Sequence, residues 1–224
     1  MLVCFAVKEE AQRFNPPEGV KILLTGMGRR NAEEALRGAL QTEIPRLVLT
    51  CGFAGGLKPE LTKGTVIFSV GDDTRLESVL LEAGAKPGYF HCAENVATTA
   101  EQKRRLREKT GADAVEMESE VIRGICRGQK IPSATIRVIL DTETEDLPLD
   151  FNQLMTARQT LHYGKLALAL LRSPGKISAL LELQRQSRAA AERLAEVLRR
   201  IIVDERLKAG DSWESGRGLP HSKT

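Results

Sequence analysis

Apolar and polar positions along this chain fall into blocks that read alternately as strands and helices. Leu2 to Val7 is a short apolar run closed at once by Lys8-Glu9-Glu10, the pattern of a buried strand. Val20 to Thr25 is a second such run, ending at Gly26-Met27-Gly28, and Arg46 to Cys51 a third, running into Gly52-Phe53-Ala54-Gly55-Gly56. Thr65 to Val70 is a fourth, Ala112 to Val115 a short fifth, and Ser133 to Leu140 a sixth. Between them, Asn31 to Gln41 has the apolar spacing and the Ala, Leu and Glu content of a helix. Thr99 can cap a helix over Ala100 to Lys109, and Glu118 to Arg127 forms another. Strands alternating with helices predict an α/β domain with a largely parallel central sheet.

The later chain changes character. Phe151 to Leu171 continues as helix, and Ser173-Pro174-Gly175 breaks it. Lys176 to Lys208 reads as one long helix or a helical pair. Ile177, Leu180, Leu181, Leu194, Val197, Leu198, Ile201 and Ile202 form an apolar stripe, with Arg185, Arg188, Arg193, Arg199 and Arg200 on the other side. That stripe fits packing on the domain, a second subunit, or a lipid surface touched by a basic amphipathic helix. From Gly210 to Thr224 little can be buried, and disorder is expected. The predicted division is a domain over residues 1–172, a helical extension over 173–209 and a tail over 210–224.

Composition narrows the function classes. The 42% apolar content fills a core, while only 4% aromatic residues and a net charge of +3 give no stacking platform and no basic footprint for nucleic acid. Cys4, Cys51, Cys92 and Cys126 are scattered, without a CxxC pair, as expected of reduced thiols in a cytoplasmic protein. His91, His162 and His221 are isolated, so no metal-ligand spacing emerges, and no cofactor motif is complete. No apolar run reaches the length of a membrane span.

Candidate chemistry gathers where strands end, the place where open α/β sheets carry their ligands. In Val115-Glu116-Met117-Glu118-Ser119 a strand gives way to a helix, whose first N–H groups and positive dipole end favour carboxylates. Glu116 and Glu118 could accept ligand hydroxyls beside the soft surface of Met117, or simply be acids opening a helix. Arg137 lies inside an apolar strand and must be paired or reach a cavity, because an isolated buried charge is costly. Asp141 closes that strand; the pair fits either a site or a structural ion pair. Glu10 follows the first strand, as a general base or as a solvated acid opening a helix. Gly28 and the Phe53-Ala54-Gly55 segment let backbone approach a ligand closely, or form tight turns with none.

Taken together, these segments resemble the nucleoside phosphorylase and nucleosidase superfamily, with its 5′-methylthioadenosine/S-adenosylhomocysteine nucleosidase branch the nearest pattern. Ala6-Val7-Lys8-Glu9-Glu10 is similar to its first strand and catalytic glutamate. Thr50 through Leu57 resembles its glycine-rich segment, Val115-Glu116-Met117-Glu118 its ribose-binding motif, and Arg137 through Asp141 the strand that ends in its catalytic aspartate. The resemblance spans roughly residues 1 to 170. It implies a three-layer α/β/α domain around a mixed, twisted sheet, assembled as a dimer or larger oligomer. It implies hydrolysis of the N-glycosidic bond of a purine nucleoside without cofactor or metal. Asp141 would be the general acid at the purine N7, Glu118 the ligand of the ribose hydroxyls, and Glu10 the base for a water that Arg137 helps to place.

Some positions depart from that pattern. Phe53 stands where the family carries a small hydroxyl residue that phosphorylases use on phosphate, which favours hydrolysis. Arg29 and Arg30 keep phosphorolysis as the alternative, and Leu140, in place of the Ser that precedes the acid, keeps a non-catalytic nucleoside-binding protein as another. The base-stacking aromatic falls at Val96, and the stretch from Val70 to Cys92 is short, implying an open 5′ side. The Gly52 to Gly56 phrase, the Thr99 to Ser119 stretch and the basic C-terminal helix resemble most the hopanoid-associated enzymes that remove adenine from adenosylhopane. That likeness implies a lipid-linked substrate reached by peripheral membrane contact through the helix.

Overall fold

The computed structural model describes residues 1–71, 74–156, 162, 164, 168–169, 173 and 175–204. Eight strands form one mixed sheet: β1 (Leu2–Phe5), β2 (Lys21–Leu24), β3 (Val48–Gly56), β4 (Val66–Val70), β5 (Lys86–Pro87), β6 (Phe90–Cys92), β7 (Ala114–Glu116) and β8 (Ser133–Asp141). Their order is β2-β1-β3-β8-β4-β5, with β7 joined to β3 and β6 to β7. The pairs β1/β2, β1/β3, β3/β8, β4/β5 and β6/β7 are parallel, while β4/β8 and β3/β7 are antiparallel. The central strands β1, β3 and β8 are buried on both faces, and mostly apolar, as strands covered on both sides are.

The helices are α1 (Lys8–Ala11), α2 (Arg29–Thr42), α3 (Thr74–Glu82), α4 (Ala100–Thr110), α5 (Ser119–Gly128), α6 (Phe151–Leu154) and α7 (Lys176–Val203). On one face of the sheet α2 and α5 bury Ala32, Leu36, Leu40, Ile122, Ile125 and Cys126 against Leu2, Cys4 and Val48. On the other, α3 and the second half of α7 pack on Val3, Phe5, Leu49, Phe68 and Ile136. The result is an α/β sandwich with a C-terminal helix. Thr99 caps α4 as expected, its hydroxyl accepting the Gln102 N–H.

Three expectations are corrected. The glycine segment 52–56 is the second half of β3, not a loop: Gly52, Phe53 and Ala54 pair with Arg137, Val138 and Ile139. The helix expected over Phe151 to Leu171 is interrupted after Leu154, where Met155 turns to extended backbone and the Leu154 carbonyl accepts the N–H of His162; most of that range beyond Thr156 lies outside the described residues, and residues 164, 168 and 169 are helical. The stretch from Val70 to Cys92 holds a helix and two short strands that the hydrophobic pattern had not marked.

The long C-terminal helix is continuous. Ala190, Ala191, Leu194, Ala195, Val197, Leu198, Ile201 and Ile202 are buried in the main core, whereas Ile177 and Leu181 in its first half are exposed. Of its basic residues, Arg185 pairs with Glu182, Arg193 with Glu196, and Arg199 reaches the Arg13 carbonyl. The expected disorder beyond Gly210 lies outside the described residues. No helix among the described residues is long and apolar enough to cross a membrane.

Candidate active site

Gly52 of β3 is the hinge point of the site. A Cβ at this position would collide with Glu10 Oε1 and with Arg137 Nη1. Only the missing side chain lets those two charged groups approach across the strand. Glu10 is placed by the turn after β1. Its Oε2 accepts the backbone N–H groups of Ala6 (2.8 Å) and Val7 (3.2 Å), and its Oε1 accepts that of Phe53 (2.8 Å). Burial raises its pKa, against the pull of Arg137 and of these three donors.

Arg137 is 1% exposed in the middle of β8, and its cost of burial is met by carboxylates. Nη2 lies 2.7 Å from Glu116 Oε2 and 3.2 Å from Glu118 Oε2, with the Thr50 hydroxyl at 3.4 Å. Burial works to lower the Arg137 pKa, but Glu116, Glu118 and Glu10 together raise it further above its usual value.

The two glutamates of the β7–α5 junction divide their work. Glu116 Oε2 accepts the N–H groups of Glu118 and Ser119 that open α5, and Oε1 accepts the Ser119 hydroxyl. Its carboxylate is thus a helix cap and an arginine partner, with side-chain exposure of 1%. Burial would raise its pKa, but Arg137 and the donors from Glu118 and Ser119 prevail and lower it. Sequence groups Glu116 with the substrate ligands; in the structure both of its oxygens are engaged by Ser119, the Glu118 N–H and Arg137.

Glu118 is held across the sheet end by Gly28, whose N–H donates to Oε1 at 2.8 Å. Gly28, which caps α2, has φ of 82°, a conformation that favours glycine, and its own N–H faces the carboxylate. Burial first, then the neighbouring Glu116 and Glu10, overcome the Arg137 charge and push the Glu118 pKa up to about 7. Met117 between the glutamates is buried.

Asp141 belongs to the same strand segment but to its other side. Arg137 pairs with Gly52 and Asp141 with Gly55, so four steps on β8 match three on β3. The extra residue is a bulge that re-aims the strand end. A Cβ on Gly55 would touch the Asp141 carboxylate at 3.4 Å and Val115 at 3.2 Å. Asp141 forms an ion pair with Lys103 of α4 rather than with Arg137. Burial raises the Asp141 pKa, opposed chiefly by Lys103.

The two ends of the segment Gly52 to Gly55 are thus glycines, with Glu10, Arg137 and Glu118 gathered at Gly52 and Asp141 at Gly55. Phe53 contributes its N–H to Glu10, and Ala54 is buried within β3. Val96 is half-buried and joined to neither group. Its N–H donates to the Asn152 side-chain oxygen, and its carbonyl accepts from the Asn152 amide, both at 2.9 Å. A separate groove of about 540 Å³ runs between α2 and α5, lined by Arg29, Arg37, Glu120 and Gln129 among others; it includes none of the buried carboxylates. Arg29, one of the two residues that kept phosphate in view, is paired there with Glu120.

Lys103, Thr50, Ser119 and Asn152 escaped sequence reasoning. Lys103 lies three positions before Leu106, the spacing that puts both on one helix face, and this was the available signal.

Residues 73–172 match the family model of the Phosphorylase superfamily. The 5′-methylthioadenosine/S-adenosylhomocysteine nucleosidase of Shewanella sediminis is 23% identical, over 68% of this chain and 80% of its own length. Among solved structures, the futalosine hydrolase of Helicobacter pylori superposes with a TM-score of 0.66 at 14% identity, over 90% of this chain and 96% of that one. The 5′-methylthioadenosine/S-adenosylhomocysteine nucleosidase of Neisseria meningitidis, solved in complex with methylthio-immucillin-A, gives 0.66 at 16% identity, over 90% and 97%. The fold is the one these proteins share.

Proposed function

We propose that this chain hydrolyses the N-glycosidic bond of a purine nucleoside of the adenosine type. The observation that carries the reading is the segment Gly52 to Gly55, with Glu10, Arg137 and Glu118 at one end and Asp141 at the other. The similarity to nucleosidases and to futalosine hydrolase agrees with it.

The roles follow from the environments. Glu118 accepts the ribose hydroxyls, held in place by Gly28 and Arg137. Asp141 donates a proton to the leaving base at its N7, so the bond from the base to C1′ breaks with both electrons going to a neutral leaving group. A water attacks C1′ and passes its proton to Glu10, whose carboxyl burial already favours the protonated form. Arg137 holds Glu118 and approaches Glu10, fixing the charge pattern beneath the sugar ring. The developing oxocarbenium ion is positive, and the surrounding carboxyl groups favour it.

Water rather than phosphate is the acceptor in this reading. Three carboxyl groups, from Glu10, Glu116 and Glu118, surround one guanidinium that already serves two of them. Such a site offers no positive surplus to a phosphate dianion. Phe53 has no hydroxyl, and its N–H is engaged by Glu10.

For the 5′ substituent we propose a lipid tail such as that of adenosylhopane, presented by a membrane surface. The exposed Ile177 and Leu181 and the exposed basic residues in the first half of α7 support that contact, and a second subunit is the other partner this face could take. The test is a panel of nucleosides, a lipid-tailed adenosine among them, assayed for released base. Release from adenosine-type members supports the reading, and binding of all members without release from any contradicts it.

A further inference from the structure

Asp141 is not alone at its end of the site. Lys103, on the inward face of α4, is fully buried, and its ammonium is ringed by the Asp141 carboxylate and the carbonyls of Thr142 and Glu145, each of the latter at 2.7 Å. Three acceptors match the three N–H donors of an ammonium. The ion pair uses Asp141 Oδ2, which is sealed from solvent, while the Asp141 side chain as a whole keeps 12% exposure. Oδ1 takes no part in that ion pair.

The segment after β8 is tied down around the same lysine. Glu145 accepts from the Thr142 N–H and hydroxyl and pairs with Lys63. Asp146 accepts the Ala100 N–H at the start of α4, and the Leu147 N–H donates to the Thr98 carbonyl. Lys103 is the point where α4, the end of β8 and this loop meet.

We propose that Lys103 is a positioning residue for the proton donor: it holds Oδ2 of Asp141 so that Oδ1 faces the leaving base, and it sets the pH above which Asp141 no longer carries the proton it must give. This rests on the reading of Asp141 as the general acid. The charged groups facing Asp141 are Lys103 from α4, Lys63 from the turn before β4, and Glu145 from the loop after β8. Of these, Lys103 is in direct contact. A positive neighbour favours the carboxylate, so removing it strengthens proton binding.

The experiment compares Lys103→Met, Lys103→Arg and Asp141→Asn with the wild type, using base release across pH and the carbon-13 titration of the Asp141 carboxyl. In Lys103→Met the alkaline limb of the rate profile moves to higher pH with the Asp141 titration. kcat falls about 10–100-fold with little change in KM, as expected for a misplaced donor. Lys103→Arg keeps the charge and leaves the limb near its wild-type position. If Asp141→Asn releases base at a near-normal rate, the reading of Asp141 fails, and the role of Lys103 fails with it. If Asp141→Asn is slow while Lys103→Met leaves both limb and titration unmoved, the reading survives and the inference is overturned: Lys103 merely packs. Should Lys103→Met not fold, the nitrogen-15 signal of the Lys103 ammonium in the wild type decides. A signal that moves as Asp141 titrates supports the inference, and one that stays fixed refutes it.

Discussion

The backbone N–H of Gly28 donates to the side chain of Glu118 at 2.8 Å, joining residues ninety positions apart. Through this bond the start of α2 fixes the carboxylate that emerges between β7 and α5. The same carboxylate meets Arg137 of β8 at 3.2 Å, so three distant segments set one oxygen pair.

That burial has a pH signature. The Glu118 pKa is raised from 4.5 to about 7, chiefly by desolvation. A carboxyl raised in the folded state contributes stability that is full below its unfolded pKa and is lost as pH rises through the folded one. The wild type therefore loses stability relative to Glu118→Gln as pH climbs from 4.5 to about 7. Paired thermal melts across that window check it, and parallel curves contradict it.

Asp141→Asn keeps the fold but slows base release by about 10²–10⁴-fold, the usual worth of a placed general acid. Steady-state rates and a thermal melt separate the two effects. Near-normal turnover removes Asp141 from the mechanism.

Glu10→Gln retains nucleoside binding with slow hydrolysis. The structure adds a cost in stability. Both Glu10 oxygens accept backbone N–H groups, and a carboxamide nitrogen cannot accept one. The mismatch costs about 1–3 kcal/mol. Binding titrations with a denaturant melt test this; loss of binding would make Glu10 a ligand-positioning group instead.

Gly52→Ala is the sharpest test of the shared site, because its new methyl group enters the space between Glu10 and Arg137. Overpacking of this kind costs about 1–3 kcal/mol, and turnover falls further than stability does. Gly64→Ala is the control, since nothing lies within 4 Å of its Cβ position, although its φ of 79° carries backbone strain of its own. Equal turnover loss in the two variants would mean that Gly52 is no part of a site.

Much of this was legible in the sequence, for identifiable reasons. Glu116, Glu118, Arg137 and Asp141 interrupt apolar runs where a charge requires a partner, so their positions alone mark a buried cluster. What pairs with what was hidden. Arg137 takes both glutamates and Asp141 takes Lys103, a choice made by the bulge at Leu140 that no local pattern announces. Gly52 to Gly56 read either as a place of close approach or as a tight turn; here the glycines serve close approach, but of charged side chains within an extended strand. Lys103 was masked by its neighbours in Glu101-Gln102-Lys103-Arg104-Arg105, a run that otherwise looks solvated. The helix expected from Phe151 is interrupted after Leu154, whose carbonyl accepts the N–H of His162 further along the same stretch.

The central claim, that water is the nucleophile on a bound nucleoside, is tested most directly by turnover of an adenosine-type nucleoside in oxygen-18 water, with and without inorganic phosphate. The expected result is free base and a free sugar bearing the label at C1, at a rate indifferent to phosphate. A sugar 1-phosphate formed only when phosphate is present, or intact nucleoside recovered from saturated protein, would contradict it.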